Sequence, residues 1–196
     1  IRDRYNIINY VTIASTGNSV DFGDLTDSDR SIDGSGCSSS TRGLFAGSYT
    51  PNTSYGRDDI NFITISSTGN TTDFGDGHGA AEMNGGQSSS TRGVWAGNYA
   101  SSNIISFITM ATEGDTTDFG DLTQGRYNFT GMSSPTRSVF SAGTYYSHPS
   151  FIRPITMVYV EIATTGNAKD FGDMAMMTDV TGLAAGGSNG HGGLSG

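Results

Sequence analysis

Four Asp-Phe-Gly-Asp tetrads stand in this chain, at Asp21–Asp24, Asp73–Asp76, Asp118–Asp121 and Asp170–Asp173. In phosphoryl transfer an Asp-Phe-Gly triplet holds magnesium, but only beside a Gly-rich loop, a strand lysine and a His-Arg-Asp loop. None of these accompanies the tetrads, the only lysine is Lys169, and a single active site has no use for four copies. The tetrads read instead as structural. Phe22, Phe74, Phe119 and Phe171 are expected to pack between repeated units, the glycines to let neighbouring chains approach, and the aspartates to cap turns. Arg42, Arg92 and Arg137 also recur in register, and the expected partners of their guanidinium groups are those aspartates.

The remaining candidates for chemistry are sparse. From Asp27 to Gly34 the chain reads DSDRSIDG, so Asp27, Asp29, Ser31 and Asp33 offer oxygens at alternate positions, as at the start of a calcium loop. The bidentate Glu of such a loop is missing at the twelfth position, where Ser38 stands, and the other repeats lack the pattern. A solvated acidic loop is the expectation, with no metal and no cofactor; calcium is the one ion the pattern suits. His78, His148 and His191 share no metal-ligand spacing. Cys37 is the only cysteine, which excludes an internal disulfide and reads as a small buried side chain. No nucleophile elbow or carboxylate pair stands out, so the chain is not expected to be an enzyme.

Aromatic and cationic residues gather elsewhere, in two segments of variable length. One is SYTPNTSYGRDD, with Tyr49, Tyr55 and Arg57; the other is TYYSHPSFIRP, with Tyr145, Tyr146, His148, Phe151 and Arg153. Variable loops on a repetitive scaffold are where binding concentrates, and aromatic rings beside Arg suit a sugar or a protein surface. These eight residues are the candidate binding set, with loop anchoring by Tyr as the alternative.

The elements that must carry these loops follow from the repeat. The tetrads are spaced by 52, 45 and 52 residues, and each follows an apolar run: INYVTI, INFITI, ISFITM and MVYVEI. Between tetrads lies a second shared block, from GCSSSTRGLFAGSY to GGQSSSTRGVWAGNY to GMSSPTRSVFSAGTY. A fourth copy from Gly182 keeps the glycines and loses the Thr-Arg. The apolar runs are β-branched, aromatic and too short for helices. Gly in the STGN and TEGD segments predicts short hairpin loops, and SSSTR predicts a further turn. Each unit is therefore two hairpins, four short strands s1 to s4, in about 45–52 residues.

Four strands in a repeat of this size describe a propeller blade. The stretch SSSTRGVWAGNY…ISFITMATEGDTTDFGDL resembles a kelch-type blade. Ala96, Gly97 and Tyr99 match its small-Gly pair and aromatic, and Phe119 matches its outer-strand aromatic, with Ala96 where the pattern has a first Gly and Phe119 where it has Trp. The repeat wording also resembles structural proteins of marine phages that infect cyanobacteria. The resulting expectation is an all-β chain forming one propeller domain over residues 1–196, with repeats at about 8–59, 60–104, 105–154 and 155–196. Four four-stranded antiparallel blades would close into a ring when the N-terminal s3–s4 pair (Ile8 to Leu25) joins the C-terminal s1–s2 block (Thr178 to Gly196). The alternative is a piece of a longer array, which the first residue, Ile1, also suits.

Charge and composition narrow the partners. A net charge of −9 with a single Lys leaves no basic stripe for nucleic acid or an anionic membrane surface, and no apolar run approaches a membrane span. The functional expectation is a structural or adhesion module of a phage particle or other extracellular assembly, contacting other subunits or surface glycans as part of an oligomer or particle. A stand-alone glycan-binding lectin is the second reading, and a propeller enzyme the third.

Overall fold

A computed structural model describes residues 6–26, 36–48, 57–78, 83–98 and 102–175. These residues form fifteen β-strands and no helix, paired antiparallel throughout. The first unit is the hairpin β1 (Ile7–Tyr10) and β2 (Val20–Asp24). A four-stranded meander follows, of β3 (Gly36–Ser38), β4 (Arg42–Ser48), β5 (Arg57–Thr64) and β6 (Thr72–Asp76). The next is β7 (Met83–Ser88), β8 (Arg92–Asn98), β9 (Ile104–Thr109) and β10 (Thr117–Asp121). The last joins β11 (Tyr127–Ser133), β12 (Arg137–Ser147), β14 (Thr156–Glu161) and β15 (Lys169–Asp173), with β13 (Ser150–Ile152) folded onto the end of β12. Each meander thus unites an s1–s2 pair with the s3–s4 pair that follows it. Residues 178–196, expected to complete the sheet of β1 and β2, lie outside the described residues, as do Asp27, Asp29, Ser31 and Asp33.

Local chemistry explains the turns. Ser39 Oγ accepts the backbone N–H groups of Thr41 and Arg42, and the Ser39 N–H donates to the Arg42 carbonyl at 2.9 Å. Ser89 and Ser134 repeat this arrangement, so the SSSTR and SPTR segments are hydroxyl-anchored tight turns. The other hairpin differs from expectation. Its tight turn is made before the glycine, by Ser67 N–H to Thr64 O at 3.2 Å, and likewise at Thr112 and Thr164. The glycines of STGN and TEGD lie beyond the turn, against the neighbouring unit.

Each Asp-Phe-Gly-Asp strand is a β-bulge. Ile60 pairs with Gly75 and Asn61 with Asp73, so Phe74 is passed over. The same skip occurs at Phe22, Phe119 and Phe171. A bulged residue leaves the ladder, and here its carbonyl turns to the next unit. Gly69 N–H donates to Phe22 O at 2.7 Å, Gly114 N–H to Phe74 O at 2.8 Å, and Gly166 N–H to Phe119 O at 2.7 Å. Two residues on, Thr71, Thr116 and Ala168 donate to Asp24, Asp76 and Asp121 carbonyls, each at 2.8 Å. The backbones approach so closely that a Cβ on Gly75 would lie 2.5 Å from the Gly114 carbonyl, on a residue whose φ is already +144°.

The apolar cores lie between sheets. Phe62 and Phe74 of one meander pack with Trp95, Ile108 and Met110 of the next. Phe119 packs with Val158, Val160, Ile162 and Ala168 of the last. At the opposite edge, Ser88 Oγ donates to Ser38 O at 2.7 Å and Gln87 Nε2 to Val139 O at 3.3 Å, tying the s1 strands to their neighbours. Phe22, Phe74 and Phe119 are buried as expected, but Phe171 is 49% exposed. The correction has a simple cause: each Phe is covered by the unit that follows, and no described unit follows the last.

The joint makes equivalent positions inequivalent. Phe119→Ala is expected to destabilise by about 3–5 kcal/mol, and Phe171→Ala by under about 1 kcal/mol. Gly75→Ala should cost about 1–3 kcal/mol more than Gly172→Ala, whose Cβ would meet no atom within 4 Å. Chemical denaturation of the four variants checks both pairs; equal costs within a pair would remove the joint from the account.

Candidate binding face

The longest variable segment folds as a hairpin that prolongs β12 beyond its sheet. Tyr145 pairs with Ile152, Tyr146 with Phe151 and Ser147 with Ser150, leaving His148 and Pro149 as the two-residue tip. β-branched and aromatic residues favour such a ribbon, and strand alternation puts Tyr146 and Phe151 on one face as a cross-strand pair. Their ring centroids are 5.0 Å apart, and His148 meets Tyr146 edge-on at 6.1 Å. Tyr146 and Phe151 remain 52% and 60% exposed, and Ile152 and Ile155 are also exposed. Paired, exposed rings standing away from the core form an aromatic patch of the kind that recognition surfaces use.

The structure thus unites Tyr146, His148 and Phe151 of the expected set. Tyr145 points the other way along the ribbon and is half-buried, while Arg153, just past β13, is exposed. Arg57 opens β5 in another sheet and lies 3.7 Å from Asp59. Tyr49 and Tyr55 lie outside the described residues.

The repeated arginines do not meet the tetrad aspartates. Arg42 lies over the Phe62 ring at 4.6 Å and donates to the Met110 carbonyl of the next sheet at 3.0 Å. Arg92 lies over Phe107 at 4.6 Å and donates to the Ile162 carbonyl at 2.9 Å. Arg137 lies over Tyr159 at 4.8 Å and, with no following unit described, pairs with Glu161 at 2.7 Å. The aromatic residue diagonally across in s3 and a backbone carbonyl of the following unit compete successfully with the aspartates, whose own positions serve the bulge: Asp118 Oδ1 accepts Gly120 N–H, and Asp170 Oδ1 accepts Gly172 N–H.

Two features went unread in the sequence. Arg126 is almost wholly buried, and its guanidinium donates to the Ala142 and Thr156 carbonyls at 3.2 and 3.1 Å. Burial lowers its pKa from the ordinary arginine range. It clamps β12 to the start of β14 at the foot of the aromatic hairpin. Its unrepeated position in the sequence hid it. The second is an acidic trio: Asp58, Asp59 and Asp76 place one carboxylate oxygen each within 4.8 Å of one another. Desolvation, then repulsion from Asp58, Asp115, Asp59 and Asp73, raises the Asp76 pKa. Cys37 is half-buried against the core, and burial raises its thiol pKa too.

A scan against models of known protein families finds no match to this chain, and a search of curated proteins finds none either.

Because the folded-state pKa of Asp76 lies above its unfolded value, the folded chain holds the proton more tightly, and stability falls as pH rises through that range. Asp76→Asn is therefore expected to raise the melting temperature at pH 7, with the gain shrinking as pH drops into the carboxylate range. Thermal unfolding of both proteins at pH 7 and pH 4 checks this; a gain that grows on acidification would contradict it.

Proposed function

We propose that the units are kelch-like propeller blades and that the chain works as a non-enzymatic structural or adhesion module of a phage particle or other extracellular assembly, with the Tyr146 hairpin as its point of contact. The observation that carries this reading is the hairpin itself. Tyr146 and Phe151 are set out in solvent as an ordered pair, on a ribbon braced at its base by Arg126. The corresponding connection in the preceding meander, from Asn98 to Ile104, is shorter than the one from Ser147 to Thr156. A hairpin on the last described unit gives the array a distinct end, suited to docking a partner in one orientation.

The blade reading is supported by the antiparallel meanders, with s1 strands adjoining at one edge and bulged s4 strands at the other. The second functional reading, a stand-alone lectin, draws on the same platform, since exposed aromatic rings with an Arg close by in sequence suit a sugar ring.

Replacing Tyr146 and Arg153 by Ala is expected to abolish binding on a glycan array or incorporation into particles. Both side chains are exposed, so folding stability should change by no more than about 0.5 kcal/mol. Undiminished adhesion and assembly in a folded double variant would make the hairpin a mere anchor. Binding on the glycan array by isolated chains favours the lectin; loss of particle incorporation alone favours the scaffold.

A further inference from the structure

Every internal joint has two sides. The trailing side offers the bulge carbonyl, the bulge glycine, the s4 phenylalanine and, where the unit has an s2 strand, its arginine. The leading side offers the TGN or EGD segment and two apolar residues of s3. In the joint between the second and third units these are Phe74 O, Gly75, Phe74 and Arg42 against Gly114, Asp115, Ile108 and Met110. An Asn or Asp side chain completes each joint: Asn70, Asp115 and Asn167 accept the Asp24, Asp76 and Asp121 N–H groups at 3.0, 3.0 and 3.1 Å.

Both sides recur unmated at the ends of the described array. The first unit has the leading set: Val11 and Ile13 stand where Ile108 and Met110 do, with Gly17 and Asn18 where Gly114 and Asp115 do. Val11 is 58% and Ile13 98% exposed, against 3% for each of Ile108 and Met110; Ile65, preceded by a hairpin with no described s2 strand, is 45% exposed. The last unit has the trailing set of Arg137, Phe171, Gly172 and Asp173. Phe171 is exposed, and the slot over Gly172 that Gly69, Gly114 and Gly166 fill in the three joints is open. The two faces do not meet within the chain among the described residues.

We propose that the trailing face of one chain receives the leading face of a second copy of this chain, making a fourth joint between molecules. In it Gly17 N–H donates to Phe171 O, Asn18 Oδ1 accepts the Asp173 N–H, and Val11 and Ile13 cover Phe171. Arg137 leaves its exposed pair with Glu161, a weak restraint in solvent, for the Ile13 carbonyl. The association is head-to-tail, so it builds rings or filaments rather than a twofold dimer. It rests on the joint alone and is independent of the Tyr146 platform.

The test mixes chains carrying Thr16→Cys with chains carrying Asp173→Cys and applies a short bifunctional thiol reagent. Among the described residues neither native side chain makes a hydrogen bond, so both variants should melt as the parent does. Cys37, packed half-buried with a raised thiol pKa, contributes little background. The expected product is a covalent pair containing one chain of each kind, while the double variant gives a ladder of multimers. Light scattering should show the parent associating with concentration, and Ile13→Asp weakening that association at least tenfold with an unchanged melting curve. A double variant that links only within monomers would show ring closure in one chain and overturn the proposal. So would a parent that stays monomeric, or mixed chains that fail to link because the chain's own residues cover the face.

Discussion

One carbonyl oxygen per unit governs how the described array stacks. The bulge at each Asp-Phe-Gly-Asp strand takes the Phe out of its own ladder, and an unpaired backbone carbonyl must find a donor elsewhere. It finds the glycine N–H of the following unit, at 2.7–2.8 Å in all three joints. That bond brings two backbones into contact where only glycine fits on the bulge side. The extra residue that breaks the sheet is thus what connects it to the next. Without the bulge the s4 strand would present a regular edge, open to any strand.

The apolar core follows from this connection. Because the clusters around Phe74 and Phe119 are shared between successive sheets, no meander encloses a complete core of its own. Stability of such an array is a sum of units and joints. The arginines act in the same direction. Their guanidinium planes lie on s3 aromatics while donating to a carbonyl one unit further on, so each Arg42- or Arg92-type residue crosses the joint. End units necessarily lack half of these terms, and exposed Phe171 and Ile13 are the visible result.

The strands and their grouping were legible because period and residue type agreed: INFITI and GVWAGNY are strands wherever they occur. The Ser-Thr turns were legible for the same reason, since a hydroxyl beside two free N–H groups has a local answer. The bulge was not legible. DFGD alternates well enough to pass as a plain strand, and its distinguishing event is a bond to a residue about 45 positions away. The arginines misled because charge complementarity in sequence ignores carbonyls, which no residue code displays. At the binding face, Tyr146, His148 and Phe151 were readable from composition and loop length, whereas the support from Arg126 depends on a fold-dependent burial.

The three joints are not electrostatically alike. Two use a carboxamide to accept the tetrad N–H, from Asn70 and Asn167; the middle one uses Asp115. An ionised acceptor makes a stronger hydrogen bond than an amide, so Asp115 favours this joint locally. It also sets a second negative charge near Asp76, already crowded by Asp58 and Asp59. Gain and penalty differ in range: the hydrogen bond is short and directional, whereas the repulsion is spread over several carboxylates and is screened by salt. Across the same joint Arg42 meets Glu113 at 3.4 Å, an attraction that salt screens as well. The middle joint therefore responds to ionic strength through the balance of these charges, which the carboxamide joints lack. Its strength becomes a property of the solution, in an array whose other joints are set by backbone geometry.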